Sequence, residues 1–334
     1  MRYLTGYDAL PLERLTCLAV KADGNVWMIV PELERPAAVA HDVESQGITL
    51  LSWSETQNPY EVLISATGKS SRALVANLMW AEKAFHLRDA LGSEVQLANK
   101  VLSDIREIKT PQEIQALHEA GAAIDAVHAR MGEWLRPGRT ERDVGRDIAD
   151  AILKAGHVTV DFVIVASGPN GASPHHEVSD RVIQAHEPVV VDIGGTMPSG
   201  YCSDSTRMYA CGDVDAEYKA MYEVLQEAQA AAVNFARPGV TCESVDGIAR
   251  DILTQAGLGE YFIHRTGHGI GMETHEEPYI VSGNTDHLIE GHAFSIEPGF
   301  YIPGKYGARI EDIVTCTNDG VQSANNTTHD LVIL

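Results

Sequence analysis

Basic residues are scarce in this 334-residue sequence: 25 Lys and Arg stand against 47 Asp and Glu, a formal net charge of -22. Such a chain has no broad positive face for phosphate backbones or anionic headgroups, which argues against nucleic-acid and membrane-surface roles. No apolar run approaches the length of a membrane span, and the opening MRYLTGYDALPLERL has no apolar signal core. The five cysteines, Cys17, Cys202, Cys211, Cys242 and Cys316, are odd in number and include no CxxC pair. Neither a disulfide framework nor a structural zinc knot is implied. These absences place the protein in a reducing, cytoplasmic setting, where the sequon Asn326-Thr327-Thr328 stays unmodified. Aromatics are few, at 6%, yet the length suffices for two domains with buried cores.

Patterning divides the chain near residue 100. LTCLAV and VWMIVP, separated by KADGN, predict a β-hairpin over Leu15 to Pro31 that turns at Asp23-Gly24. A helix over Glu32 to Ser45, a strand over Ile48 to Trp53 and a helix over Leu78 to Leu91 follow, so residues 1–100 read as a small α/β domain. Residues 101–334 form the second domain. It opens with a helix whose Thr110, Pro111 and Glu113 make a capping box, followed by Ile114, Leu117, Gly121, Ile124, Met131 and Leu135 at helical spacing. His41, His86, His118 and His128 stand on these helices as ordinary surface or packing residues.

An internal repeat organises the rest. LRPGRTERDVGRDIADAILKAG (135–156) matches ARPGVTCESVDGIARDILTQAG (236–257) without a gap, and in each copy a Thr, Thr140 or Thr241, is placed to cap the next helix. An apolar strand and a segment rich in Gly and His are expected after each copy: FVIVASGPNGASPHH with His175 and His176, then FIHRTGHGIGMETHE with His264, His268 and His275. The glycines of the second segment disfavour a helix by roughly 1 kcal/mol each, so a strand or tight loop presenting the imidazoles is expected. Each half then supplies a strand ending in an acid, VVVDIGG with Asp192 and FSIEPGF with Glu297, and a second strand bearing another, SDSTRMY with Asp204 and ARIEDIV with Glu311. Two similar halves face to face would gather the four carboxylates around one axis.

Four converging carboxylates would repel one another and protonate unless cations neutralise them. Four acids and one imidazole exceed what one ion usually takes from protein, so two divalent ions about 3.5 to 4 Å apart are expected, suited to hydrolysis. Manganese, cobalt or zinc fits an oxygen-rich set better than a thiolate-seeking metal. No G-x-S-x-G frame and no phosphate loop accompany these residues.

The motifs VVVDIGG, GYCSDSTR, HRTGHGIGMETHEEP, SIEPGFYIP and GARIED, in that order, resemble those of the pita-bread metallopeptidases, in the branch of Xaa-Pro dipeptidases (prolidases) and aminopeptidase P. The resemblance covers nearly the whole chain. It implies an α+β chain: a C-terminal pita-bread fold with a pseudo-twofold internal repeat, preceded by a smaller creatinase-type N-terminal α/β domain that begins later than is usual. It makes Asp192 a ligand of one metal, His268 and Glu297 ligands of the other, and Asp204 and Glu311 bridging ligands. It also makes Glu297 the group that moves the proton of an attacking metal-bridging hydroxide, and His275 a stabiliser of the tetrahedral oxyanion. His175 matches a histidine on the substrate side, His264 and Arg309 belong at the edge of the site, and His176 is a neighbour. Asp192 and Asp204 stand one residue further apart than in the family, a difference a bulge near Pro198-Ser199 would absorb. Tyr279 replaces an arginine that in some prolidases grips the dipeptide carboxylate.

The expected activity is removal of the N-terminal residue from short peptides, Xaa-Pro dipeptides above all, by a homodimer using two Mn2+ ions, with Co2+ or Zn2+ as alternatives. The alternatives are a broad-specificity dipeptidase, an aminopeptidase P-like enzyme, and a binding protein on the same fold that has lost catalysis. This last would be expected to have lost ligands, and all five are present.

Overall fold

In the N-terminal unit the period-2 alternation of apolar residues becomes a small sheet. A computed structural model describes every residue except Pro11 and, at Asn99, the backbone alone. Cys17–Val20 (β1) and Val26–Pro31 (β2) form the antiparallel hairpin, in register from Cys17 opposite Ile29 to Val20 opposite Val26. Ile48–Trp53 (β3) joins β2 in parallel. Met28, Val30, Ile48 and Leu50 face one core with Tyr7, Ala38 and Val43, while Ile29 and Trp53 face the other with Leu15 and Leu63. A second parallel pair, Ala73–Val75 (β4) with Val95–Leu97 (β5), accompanies the helices Pro59–Thr67 and Ala81–Leu91.

Two expectations are corrected here. The stretch from Glu32 to Ser45 is not one helix but three short pieces, Glu32–Glu34, Arg35–Ala40 and Val43–Gln46. The chain breaks where Asp42 takes a left-handed φ of 50°, a conformation short polar side chains tolerate but a helix interior does not. The later helix begins at Ala81, not Leu78, because Trp80 is extended.

The chain separates into two units, residues 1–102 and 103–334. In the second, the helix Pro111–His128 carries the complete capping box at Thr110 and Glu113 and buries Leu117, Gly121, Ile124 and Val127. The repeat is structural as well as sequential. The first-repeat helix, Glu141–Lys154, is capped by Thr140 accepting from the Asp143 N–H, and the second-repeat helix, Cys242–Gln255, by Thr241 accepting from the Ser244 N–H. Thr159–Ser167 (β6), Pro188–Thr196 (β7) and Cys202–Ala210 (β8) lie side by side and antiparallel. In the second half Gly267–Gly269 (β9), Ala293–Ile296 (β11) and Asp312–Cys316 (β14) repeat that order, with Glu276–Ile280 (β10) and Val321–Ser323 (β15) at the edges. Gly299–Ile302 (β12) and Tyr306–Arg309 (β13) form a separate hairpin, and Val332–Ile333 (β16) pairs with β8. One apolar core lies under the helices Ala216–Phe235 and Cys242–Gln255. The other lies under Pro111–His128 and Glu141–Lys154.

Three further expectations change. No bulge occurs near Pro198-Ser199: β7 and β8 pair without a register shift from Pro188 opposite Ala210 to Thr196 opposite Cys202. The two strands are joined by a turn closed by the Met197 N–H donating to the Tyr201 carbonyl at 2.9 Å. The second Gly and His segment is not preceded by a long apolar strand, since β9 spans Gly267–Gly269 and the residues before it form a 3-10 turn, Gly259–Tyr261, and an irregular loop. Glu311 sits not within a strand but between β13 and β14, opposite the Glu297-Pro298 break between β11 and β12.

Candidate metal centre

Strand pairing brings the acids together. Asp192 faces Thr206 across the β7–β8 ladder, and Gly194 faces Asp204, so the two aspartates stand diagonally on adjacent strands. In the other half the pairing of Ile296 with Asp312 and of Gly299 with Arg309 sets Glu297 and Glu311 on opposing breaks. Three overlapping groups of donor atoms lie within 4.8 Å of one another: Asp192, Asp204 and Glu311; His268, Glu297 and Glu311; and Asp204, His268 and His275. The structure thus gathers Asp192, Asp204, His268, Glu297, Glu311 and His275, residues far apart in the chain.

The first five are buried or nearly so, whereas His275 stands at the open side with its ring centroid 4.0 Å from that of His268. His175 is exposed as well. His264 donates or accepts at Tyr301 Oη, 2.9 Å from its Nε2, and the same hydroxyl accepts from Arg309 Nη1 at 2.7 Å. Arg309 reaches Asp192 Oδ2 through Nη2 at 2.5 Å, Thr206 Oγ1 through Nε at 3.0 Å, and the Pro174 carbonyl through Nη1 at 3.4 Å. Thr206 passes the contact on, donating to Glu311 Oε2 at 2.7 Å. His176 turns away to Glu141. His128 is buried on Tyr209 and the Ser205 carbonyl, while His41 and His86 are exposed.

The donor set fits divalent cations. His268 Nδ1 donates to the Gly269 carbonyl at 3.1 Å, which leaves Nε2 facing Glu297 Oε1 at 3.2 Å and Asp204 Oδ2 at 3.6 Å. A divalent ion would take that nitrogen together with the two carboxylates. Asp192 Oδ1, buried, has no hydrogen-bond partner, an orphan of the kind a metal satisfies. Without a metal, burial pushes Asp204 well above the usual carboxylate range, and the charges of Glu311, Asp192 and Glu297 add to it. Burial likewise lifts Glu311, helped by Glu297 and Asp192. It also lifts Asp192, against the pull of Arg309. Glu297 goes the other way: burial works against its charge, but the hydrogen bond and charge of His268, with His264 and Arg309, hold it down at about 2. One acid stays ionised while its neighbours resist ionisation.

Several functional neighbours carry no signal of their own in the sequence. Tyr301 and Thr206 lie inside the motifs SIEPGFYIP and SDSTR, but only the fold shows their hydroxyls joining His264, Arg309 and Glu311. Ser295 Oγ accepts from the His268 N–H at 3.0 Å and donates to Glu297 Oε1 at 2.9 Å. Behind the acids Arg207, fully buried, donates to the Glu311 carbonyl at 2.6 Å and to Asp312 Oδ1 at 2.7 Å, fixing the backbone that carries Glu311.

A duplicated fold whose two halves bury a multi-carboxylate, histidine-containing cluster defines a metal-dependent hydrolase class. The signature of metallopeptidase family M24 matches residues 115–318, and that of the creatinase/prolidase N-terminal domain matches residues 1–108. A probable dipeptidase PepE of Mycobacterium tuberculosis is 51% identical over 333 residues, spanning 99% of this chain and 89% of that protein. A Xaa-Pro dipeptidase of Lactobacillus helveticus is 38% identical over 342 residues, spanning 99% and 92%. The crystal structure of dipeptidase PepE from Mycobacterium ulcerans matches with a TM-score of 0.95 at 50% identity, over 99% of this chain and 90% of that one. The chain belongs to metallopeptidase family M24. It is a peptidase, with divalent metal as cofactor and peptide as substrate. Among the described residues no helix is long and apolar enough to cross a membrane.

Proposed function

We propose that the protein is a dipeptidase that uses two divalent ions, releases the N-terminal residue of short peptides and prefers proline in second position. The observation that carries this reading is that the donor groups overlap: Glu311 belongs both with Asp192 and Asp204 and with His268 and Glu297. Two ions sharing ligands account for that; one ion does not. Asp192 would hold one ion, His268 and Glu297 the other, with Asp204 and Glu311 common to both. The chemistry such ions supply when bound is Lewis acidity, which polarises a carbonyl and activates water near neutral pH.

The chain's own residues do the rest. Glu297, kept ionised by His268, takes a proton from the water that attacks the peptide carbonyl carbon and gives it to the amine released as the C–N bond breaks. His275, on the open side beside His268, donates to the oxygen of the peptide carbonyl as charge develops there. His175 and His264 orient the peptide, and Arg309 holds Asp192, Tyr301 and Thr206 in place. The reading further takes manganese as the metal, a homodimer as the assembly and the cytoplasm as the location, in keeping with five free cysteines.

A broad-specificity dipeptidase is the second reading. Tyr279 bears on peptide length rather than on proline: its ring lies 4.2 Å from the Arg265 guanidinium and offers no charge of its own to a dipeptide carboxylate. Purified protein loaded with Mn2+ and offered Ala-Pro, Ala-Ala and a tripeptide separates the two. Cleavage of Ala-Pro ahead of Ala-Ala supports the proline preference, equal rates support the broad reading, and no cleavage of any peptide with metal bound refutes both.

A further inference from the structure

Two buried carboxylates, one in each half, take no part in the metal cluster. Glu141 opens the first-repeat helix with a side chain wholly shielded from solvent. Its Oε1 accepts from the Ser167 N–H at 2.8 Å, from Ser167 Oγ at 2.7 Å and from Asn170 Nδ2 at 3.0 Å. Its Oε2 accepts from Asn170 Nδ2 at 3.0 Å, from His176 Nε2 at 2.8 Å and from Ser179 Oγ at 2.6 Å. Every donor belongs to residues 167–179, the loop that carries His175.

Asp246 does the same in the second-repeat helix. Its Oδ1 accepts from the Thr266 N–H at 3.0 Å, from Thr266 Oγ1 at 2.8 Å and from Arg250 Nη2 at 2.9 Å, and its Oδ2 accepts from Arg250 Nε at 2.8 Å. Arg250, so anchored, donates to the carbonyls of Phe262 and His264 at 3.0 and 2.8 Å and lies 4.1 Å from the Phe262 ring centroid. Phe262 in turn packs edge-on against His264. All these contacts fall on residues 262–266, the approach to His264 and His268.

The two acids are not equivalent in the repeat. Glu141 aligns with Cys242, and Asp246 with Gly145, one helical turn further on. A side chain at Gly145 would meet Val178 Cγ1 at 2.9 Å, so the first half has no room for an acid there. Each half reaches the same arrangement from its own helix position, which a burial pattern inherited from the repeat does not explain.

We propose that Glu141 and Asp246 are positioning residues, one for each half, that hold the His175 and His264 segments rigid against the metal cluster from opposite sides. This rests on the peptidase reading for the roles of the two histidines. Arg309 grips the first segment from the site side through the Pro174 carbonyl, and Glu141 grips it from behind. Tyr301 and Asp246 do likewise for the second.

The test compares full-length wild type, Glu141→Gln and Asp246→Asn, each loaded with Mn2+, by hydrogen exchange and by Ala-Pro turnover. An amide turns its NH2 toward donors and cannot serve them all. Glu141→Gln is expected to speed exchange across residues 167–179 by about ten-fold or more and to leave 262–268 at the wild-type rate, and Asp246→Asn to do the reverse. Each variant is expected to lower kcat by about ten- to a hundred-fold at unchanged Mn2+ content, the scale of losses when residues that orient a site from behind are removed. Uniform loosening of the whole unit, or local loosening with unchanged kcat, would overturn the proposal. Should a variant fail to fold, Ser179→Ala and Thr266→Val remove single bonds to the same two acids and carry the same local exchange prediction. A wild type inactive on Ala-Pro refutes the substrate reading, while the exchange pattern still decides whether each acid holds its own segment.

Discussion

Arg309 and Asp192 form a buried ion pair, Nη2 to Oδ2 at 2.5 Å, while the other oxygen of Asp192 is buried with no hydrogen-bond partner. The pair divides one carboxylate into a structural oxygen and a free one. Burial works against the Arg309 charge, but Tyr301, Asp192, Glu297 and Glu311 raise its proton affinity well above the ordinary arginine value, so the guanidinium is a fixed cation.

Arg309→Lys follows directly. Lysine keeps the charge but cannot reach Asp192, Tyr301 and Thr206 from one rigid fork. Affinity for Mn2+, read by calorimetric titration, is expected to drop about ten- to a hundred-fold, as when a ligand loses the partner that orients it. Wild-type affinity in the variant would show that Asp192 needs no such support.

Removing a charge from the cluster should separate stability from function. In the metal-free protein the charged form of Asp204 is penalised by burial and by three neighbouring acids, so Asp204→Asn is expected to melt higher than wild type in EDTA. A relief of about 1–2 kcal/mol would raise the midpoint by roughly 2–4 °C per kcal/mol in a unit of this size. Adding Mn2+ should raise the wild-type midpoint by mass action and the variant's much less. Thermal melts with and without metal check both halves; a variant less stable than wild type in EDTA would contradict the repulsion argument.

His128 should contribute to acid lability, in the same direction as the other histidines that burial holds down, His275 and His292 among them. Its Nε2 donates to the Ser205 carbonyl and its Nδ1 faces Tyr209 Oη, and burial, with Arg207 adding, holds its pKa down at about 3. The unfolded chain therefore takes up a proton near the ordinary 6.5, which the folded chain refuses until about pH 3. This contribution is fully present above 6.5 and is lost as pH falls, by up to about 1.4 kcal/mol per unit. Urea titrations at pH 7, 6 and 5 should show stability falling with pH, and His128→Asn should make that fall shallower; an unchanged slope would contradict the assignment.

That Asp192, Asp204, His268, Glu297 and Glu311 gather was legible in the sequence because each lies in or beside a short apolar or glycine-rich strand within a motif. The repeat was legible because Thr140 and Thr241 cap matching helices. What escaped depends on distance along the chain. Glu141 meets partners at 167–179 and Asp246 meets Thr266, and nothing local distinguishes either acid from a solvated helix residue. Helix breaks escaped for the opposite reason: Asp42 adopts a left-handed turn that propensity permits without demanding. No bulge forms near Pro198-Ser199 because the β7–β8 ladder keeps its register over its whole length and the chain reverses only beyond Thr196.

Two glycines give opposite expectations for the same substitution. A Cβ at Gly267 would lie 1.8 Å from the Ser295 carbonyl oxygen, a backbone atom of the adjacent strand, so β9 and β11 would have to part. Ser295 is also the residue whose hydroxyl joins His268 to Glu297, so the displacement reaches the cluster itself. Gly267→Ala is therefore expected to lose Mn2+ binding and several kcal/mol of stability, in the range of severe overpacking, about 3 kcal/mol. Gly247 sits within the second-repeat helix with nothing inside 4 Å of an added Cβ. There alanine restricts the unfolded chain and suits the helix, so Gly247→Ala is expected to add about 0.5–1 kcal/mol and leave kcat unchanged. Denaturant titration and metal content, measured on both variants side by side, decide it; a Gly267→Ala protein that binds Mn2+ normally would mean that β9 is free to shift without moving His268.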